Sequence, residues 1–145
     1  MRNRIAALAA TTVILAGGAL ATASAASASV APPGGGSWDH TWTTIDAKHG
    51  GTVYVEEHGD VVSLCDTAAD GYAPRAEVSA QDSVGTYDIK YTITGAGGYG
   101  ACTTYSASNG GKYDLPENDN IMISIWLGPT KPGPGFKWYT YLNDH

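Results

Sequence analysis

Thr86-Tyr87-Asp88-Ile89-Lys90-Tyr91-Thr92-Ile93-Thr94 is the stretch that decides the fold. Tyr87, Ile89, Tyr91 and Ile93 fall at every second position, with Asp88, Lys90, Thr92 and Thr94 between them. Successive side chains of a strand point to opposite faces, so this alternation describes a strand with one dry and one wet side. No stretch after residue 30 shows a helical period.

Working outward, the same signal returns on both sides. Beyond a glycine-rich turn from Gly95 to Gly100 lies Ala101-Cys102-Thr103-Thr104-Tyr105, then the Asn109-Gly110-Gly111 turn. Ile121 to Leu127 alternates, with Ile121, Ile123, Ile125 and Leu127 opposite Met122, Ser124 and Trp126. A proline-glycine loop from Gly128 to Gly135 precedes a last strand from Phe136 to Leu142. Towards the N-terminus, Ala73 to Ala80 has period two, and Asp70-Gly71 is a strong turn signal. Val61 to Cys65, Thr52 to Glu56 and Thr41 to Ile45 complete the set, separated by His58-Gly59-Asp60 and Gly50-Gly51. Seven or eight short strands at this spacing predict an all-β fold, an antiparallel immunoglobulin-like β-sandwich, with a small barrel as the alternative.

Met1-Arg2-Asn3-Arg4 precedes an apolar run to about Ala23, followed by Ala23-Ser24-Ala25 and Ala26-Ser27-Ala28. Two positive charges, an apolar stretch and small residues of A-x-A type are the pattern of a cleaved secretory signal. Residues 1–28 are therefore expected to be a signal peptide, 29–37 (rich in proline and glycine) a flexible linker, and 38–145 the β-sandwich domain. The run carries Thr11, Thr12, Gly17 and Gly18 and ends without stop-transfer charges, so no stable membrane anchor is expected. Cleavage leaves roughly 120 residues, enough for one domain with its own core. It also removes Arg2 and Arg4 from a chain whose formal net charge is already −6. Such a surface repels nucleic acid and anionic lipid. In an exported chain the two cysteines, Cys65 and Cys102, are expected to pair as a disulfide that clamps the two sheets, with Trp126 or Trp42 packed on it. The chain-entropy treatment assigns roughly 4 kcal/mol to such a loop.

Candidate sites are sparse. Asp66, Asp70, Gly71 and Glu77 fall at positions one, five, six and twelve of a calcium loop, which makes Asp66, Asp70 and Glu77 metal-ligand candidates. Ala68 at position three has no side-chain oxygen, Pro74 interrupts the loop, and the flanks are strands rather than helices. Asp114, Glu117, Asn118, Asp119 and Asn120 form a second group of oxygen donors, of the kind ordinary turns also use. His58 beside Asp60 suggests a serine-hydrolase arrangement, but no Gly-x-Ser-x-Gly surrounds any serine. Four tryptophans and nine tyrosines offer faces on which a sugar ring could stack. Trp138, Tyr139 and Tyr141 are the ligand-binding candidates, with Trp138 and Thr140 on one face of the last strand and Tyr139 and Tyr141 on the other.

The run Val62-Ser63-Leu64-Cys65-Asp66-Thr67-Ala68-Ala69-Asp70-Gly71-Tyr72-Ala73 resembles a pattern in small secreted proteins of actinomycetes. There a Gly-Asp pair, here Gly59-Asp60, precedes a strand ending in Val-Cys-Asp and an Ala-Asp-Gly turn. Leu115-Pro116-Glu117 and Trp138 fit the same pattern. The resemblance implies a secreted β-sandwich and carries no activity with it. Members of that group often have another cysteine pair around the final two strands. Here those strands read Ile125-Trp126-Leu127 and Lys137-Trp138-Tyr139. The expectation is a secreted, non-catalytic binding protein without a cofactor, its extracellular ligand a glycan or a protein. The alternative is a proteinaceous inhibitor of an extracellular enzyme that uses loops such as Gly128 to Gly135.

Overall fold

β-branched and aromatic residues alternate with polar ones in eight segments, and each segment is a strand. They are β1 (His40–Thr43), β2 (Gly51–Glu56), β3 (Val61–Asp66), β4 (Pro74–Gln81), β5 (Tyr87–Thr94), β6 (Cys102–Tyr105), β7 (Asp119–Leu127) and β8 (Lys137–Asn143). Two single-turn 3-10 helices, Ala107–Asn109 and Gly111–Tyr113, lie between β6 and β7. The computed structural model describes residues 30–34 and 36–145. The expected signal peptide lies outside the described residues.

All strand pairs are antiparallel, in two four-stranded sheets of order β1-β2-β3-β6 and β5-β4-β7-β8. With β2 taken as the first strand of an immunoglobulin fold, the β3–β6 and β4–β7 pairings are its two Greek-key pairings. β1 is an added edge strand, and β5 stays beside β4 instead of joining β6. The sandwich is thus immunoglobulin-like with a displaced fourth strand.

The core forms where the two inner faces meet. Val53, Val55, Val62 and Leu64 come from the first sheet, and Ala76, Val78, Ile93, Ile121, Ile123 and Ile125 from the second. Each of the valine, leucine and isoleucine side chains contributes about 1.5–3 kcal/mol through removal from water. Aromatic side chains close both flanks. Trp42 stacks on Tyr139 at 5.0 Å, and the Tyr139 hydroxyl donates to the Thr43 carbonyl at 2.9 Å. On the far side Tyr105 stacks on Tyr113 at 4.5 Å, with Tyr91 against both.

Two expectations are corrected here. Cys65 and Cys102 are bonded, but they are directly opposite residues of neighbouring strands in the same sheet, with Cα atoms 4.0 Å apart. The disulfide therefore staples β3 to β6 and does not clamp the two sheets. Because Val62 and Leu64 point into the core, Cys65 and Ser63 point to the outer side of their sheet. Tyr54, opposite Ser63, shares that side, and Trp38 lies against it at 5.6 Å. Trp42 faces the core flank instead, and Trp126 sits on the other sheet, so neither takes the place expected for it on the bond.

The second correction concerns β5. Val78 is opposite Tyr91 while Ser79 is opposite Ile89, so Lys90 is an extra residue at that step. One extra residue reverses the facing of everything beyond it. Tyr91 and Ile93 stay buried in the core, whereas Ile89 and Tyr87 turn to the outer face.

Candidate functional site

The outer face of the β5-β4-β7-β8 sheet carries three exposed large apolar side chains, while Ile45, Tyr72, Val84 and Tyr99 are exposed on loops. Register builds it in three rows. Across the first, Trp138 on β8 stands beside Ser124, Glu77 and Thr92. Across the second, Thr140 stands beside Met122, Ser79 and Ile89. The third holds Leu142, Asn120, Gln81 and Tyr87. Trp138 is 55% exposed, Leu142 48% and Ile89 62%. At about 4.8 Å per strand, the apolar groups on the two edge strands stand roughly 14 Å apart. Half-buried Met122 stands opposite buried Ser79 in the middle row, and the Asn120 amide donates to Gln81 Oε1 at 2.9 Å.

The proline-glycine loop frames one end of this face. It is folded back on the sheet: Leu127 N–H donates to the Pro134 carbonyl at 2.9 Å, and Phe136 N–H to Gly133 at 3.2 Å. A Cβ at Gly133 would lie 2.1 Å from the Leu127 carbonyl oxygen, so this fold-back needs glycine. The loop lays Lys131 across the face. Its Nζ meets Glu77 Oε1 at 2.5 Å and stands 5.6 Å from the Trp126 ring, which is nearly buried beneath. Charge at this end of the face is thereby paired.

The last strand divides the aromatic candidates. Trp138 points out, while Tyr139 and Tyr141 point inward. Tyr141 is 7% exposed and packs against His40 and Trp42. Burial pushes its phenol far above the ordinary range, with the charges of Tyr91, Asp60, Glu57 and Glu117 adding to the effect. Of the three, Trp138 alone is exposed.

Of the three calcium-loop candidates, Asp66 and Asp70 stay near one another and Glu77 is separated from them. Asp66 ends β3 on the inner side of the first sheet, whereas Glu77 lies on the outer side of the second, held by Lys131. Burial raises the Asp66 carboxyl above its usual range against the donated Ala68 N–H, and Asp70 adds repulsion. Asp66 lines a shallow cavity of about 440 Å³ with Gly71, Tyr72, Gly98 and Tyr99, but Glu77 is not among its walls. The Asp114–Asn120 group is drawn into ordinary structure: Asn118 N–H donates to the Asn143 carbonyl, and Asp119 and Asn120 begin β7.

His58 and Asp60 do not form a catalytic pair. The Asp60 carboxylate accepts from Leu115 N–H at 2.8 Å and from the Asn143 amide at 3.1 Å. His58 instead stacks on His145, ring centres 4.7 Å apart. Sequence reasoning missed Ile89, Tyr87 and Leu142 as surface residues, since strict alternation placed the first two in the dry face. No family model, curated protein or solved structure matches this chain.

Proposed function

We propose that this chain is a secreted, non-catalytic binding protein whose contact surface is the outer face of the β5-β4-β7-β8 sheet, and that its ligand is a protein surface. The observation that carries the reading is the exposure of Trp138, Leu142 and Ile89 on one sheet face. Large apolar groups that fold burial leaves contiguous mark interaction sites. Protein interfaces combine aromatic and Met anchors with satisfied polar neighbours, which is the composition of these three rows. A sugar-binding platform would need several coplanar aromatic faces, and here Trp138 and the half-buried Tyr87 lie on opposite edge strands in different rows. The intrasheet disulfide suits an oxidising compartment, in keeping with export. The folded-back Gly128–Gly135 loop favours recognition through the sheet over insertion of a free loop into an enzyme cleft.

The test compares wild type with Trp138→Ala against a panel of secreted proteases and glycosidases, insoluble polysaccharides, and the protein's own self-association by sedimentation. A central tryptophan anchor is worth about 2 kcal/mol or more, so the variant should bind a protein partner about thirtyfold more weakly. Its melting temperature should stay within a degree or two, because the ring is exposed. Retention on polysaccharide that disappears with Trp138 would replace the protein ligand by a glycan. Protein binding indifferent to Trp138 would refute the assigned face.

A further inference from the structure

A second cluster lies away from that face, where the β2–β3 turn meets the end of β8. Glu57 in the turn, Asp144 and His145 bring one carboxylate or imidazole ligand atom each within 4.8 Å of one another. We infer that Glu57, Asp144 and His145 form a binding site for a divalent transition-metal ion of the zinc class.

The local folding explains why these groups meet. Asn143, the last residue of β8, is fully buried and donates to both Asp60 Oδ1 and the Pro116 carbonyl. Asp60 belongs to the β2–β3 turn, so this bond fastens the end of β8 to the turn that carries Glu57. Asp144 and His145 follow directly and lie exposed beside it.

Two features go beyond proximity. The first is spacing. His145 Nε2 and Asp144 Oδ1 are 3.4 Å apart. That is longer than a charge-assisted hydrogen bond. It is close to the roughly 3.3 Å that separates two ligands of a tetrahedral ion bound at about 2.05 Å, and Glu57, within 4.8 Å of both, would need only a small side-chain movement to complete the set. The second is support behind a ligand. Glu57 is 8% exposed, its backbone N–H donates to Asp39 Oδ2 at 2.8 Å, and the His40 ring bonds Glu57 Oε1 at 2.7 Å. A buried carboxylate oriented by a second imidazole is the outer-shell arrangement that metal sites use to fix a ligand. Three protein ligands leave a fourth position for water, and His58, stacked on His145, is a further imidazole beside the site.

The donor set selects the ion. An imidazole with two carboxylates suits zinc and its neighbours, whereas calcium takes oxygen ligands only, and six to eight of them. The role open to such an ion is a clasp that ties the end of β8 to the first sheet.

The experiment is calorimetric titration of untagged protein with zinc chloride, then with calcium chloride, in a non-chelating buffer at neutral pH. Thermal melts are recorded alongside. The expected result is one zinc ion per chain, a melting temperature raised by zinc, and calcium binding at least tenfold weaker. Both His145→Ala and Asp144→Asn, changes at exposed positions that leave the core intact, should weaken zinc binding at least tenfold. Absence of heat and of any melting shift with zinc would overturn the site. So would zinc binding that both variants retain unchanged.

Discussion

Replacing Asp60 tests the account of how the two sheets are held in register at the end of the sandwich. Asp60 is 3% exposed, and its carboxylate receives two donors remote in sequence, Leu115 N–H and the Asn143 amide. Asp60→Ala leaves the Leu115 N–H without a partner and the Asn143 amide with only the Pro116 carbonyl, at about 1–3 kcal/mol for each bond lost. The residue also adopts a left-handed backbone, with φ of 53°. Alanine there costs about 1 kcal/mol more than a residue with a short polar side chain. The expected loss is about 3–7 kcal/mol, a large part of the stability of an ordinary domain. Asp60→Asn tolerates the same backbone and keeps one acceptor oxygen, so about half that loss is expected. Urea denaturation at pH 7, followed by circular dichroism, measures both. The pH dependence supplies a further check. Burial raises the Asp60 carboxyl, against the Leu115 and Asn143 donors, and Asp114 adds to the rise. The folded chain therefore takes up this proton before the unfolded chain does as pH falls. The contribution of Asp60 grows as pH drops from the folded value towards the ordinary carboxylate value, and declines again as pH rises through that window. The stability gap between wild type and Asp60→Asn should widen on acidification across this range. A loss below about 1 kcal/mol for Asp60→Ala, or a gap that narrows on acidification, would refute the reasoning.

The disulfide and the folded-back loop give two shorter tests. Reducing the Cys65–Cys102 bond, or replacing both cysteines by serine, should lower stability by at most about 4 kcal/mol. Because the bond lies on the outer side of its sheet, the circular dichroism of the folded state should survive; its loss would show that the bond organises the core. Gly133→Ala forces a Cβ against the Leu127 carbonyl and the Trp126 ring. It should cost about 1–3 kcal/mol and red-shift tryptophan emission as Lys131 leaves Trp126, and an unchanged spectrum would refute the packed loop.

All eight strands were legible in the sequence because a half-buried strand writes its two faces into alternate positions. The alternation of Ile121, Ile123 and Ile125 with Met122, Ser124 and Trp126 is reproduced in the structure. Pairing was not legible, since period two says which residues share a face but not which strand lies alongside. That is why Cys65 and Cys102 were assigned to different sheets. The bulge at Lys90 was hidden for a related reason. An inserted residue shows only when two strands are set in register, and Thr86–Thr94 read alone is an unbroken strand.

The bulge connects fold to function. Without it, Ile89 and Tyr87 would lie on the same side as Tyr91 and Ile93, and the outer face would lose the apolar groups on its β5 side. Lys90 instead turns them outward, in the rows that hold Thr140 and Leu142 on the far edge strand. Folding alone gains nothing from exposing an isoleucine, because that side chain forgoes about 1.5–3 kcal/mol of burial. The same surface is recovered when a partner covers it. The residue that breaks the alternation is thus the one that completes the proposed contact surface, which is where departures from local rules are expected to fall.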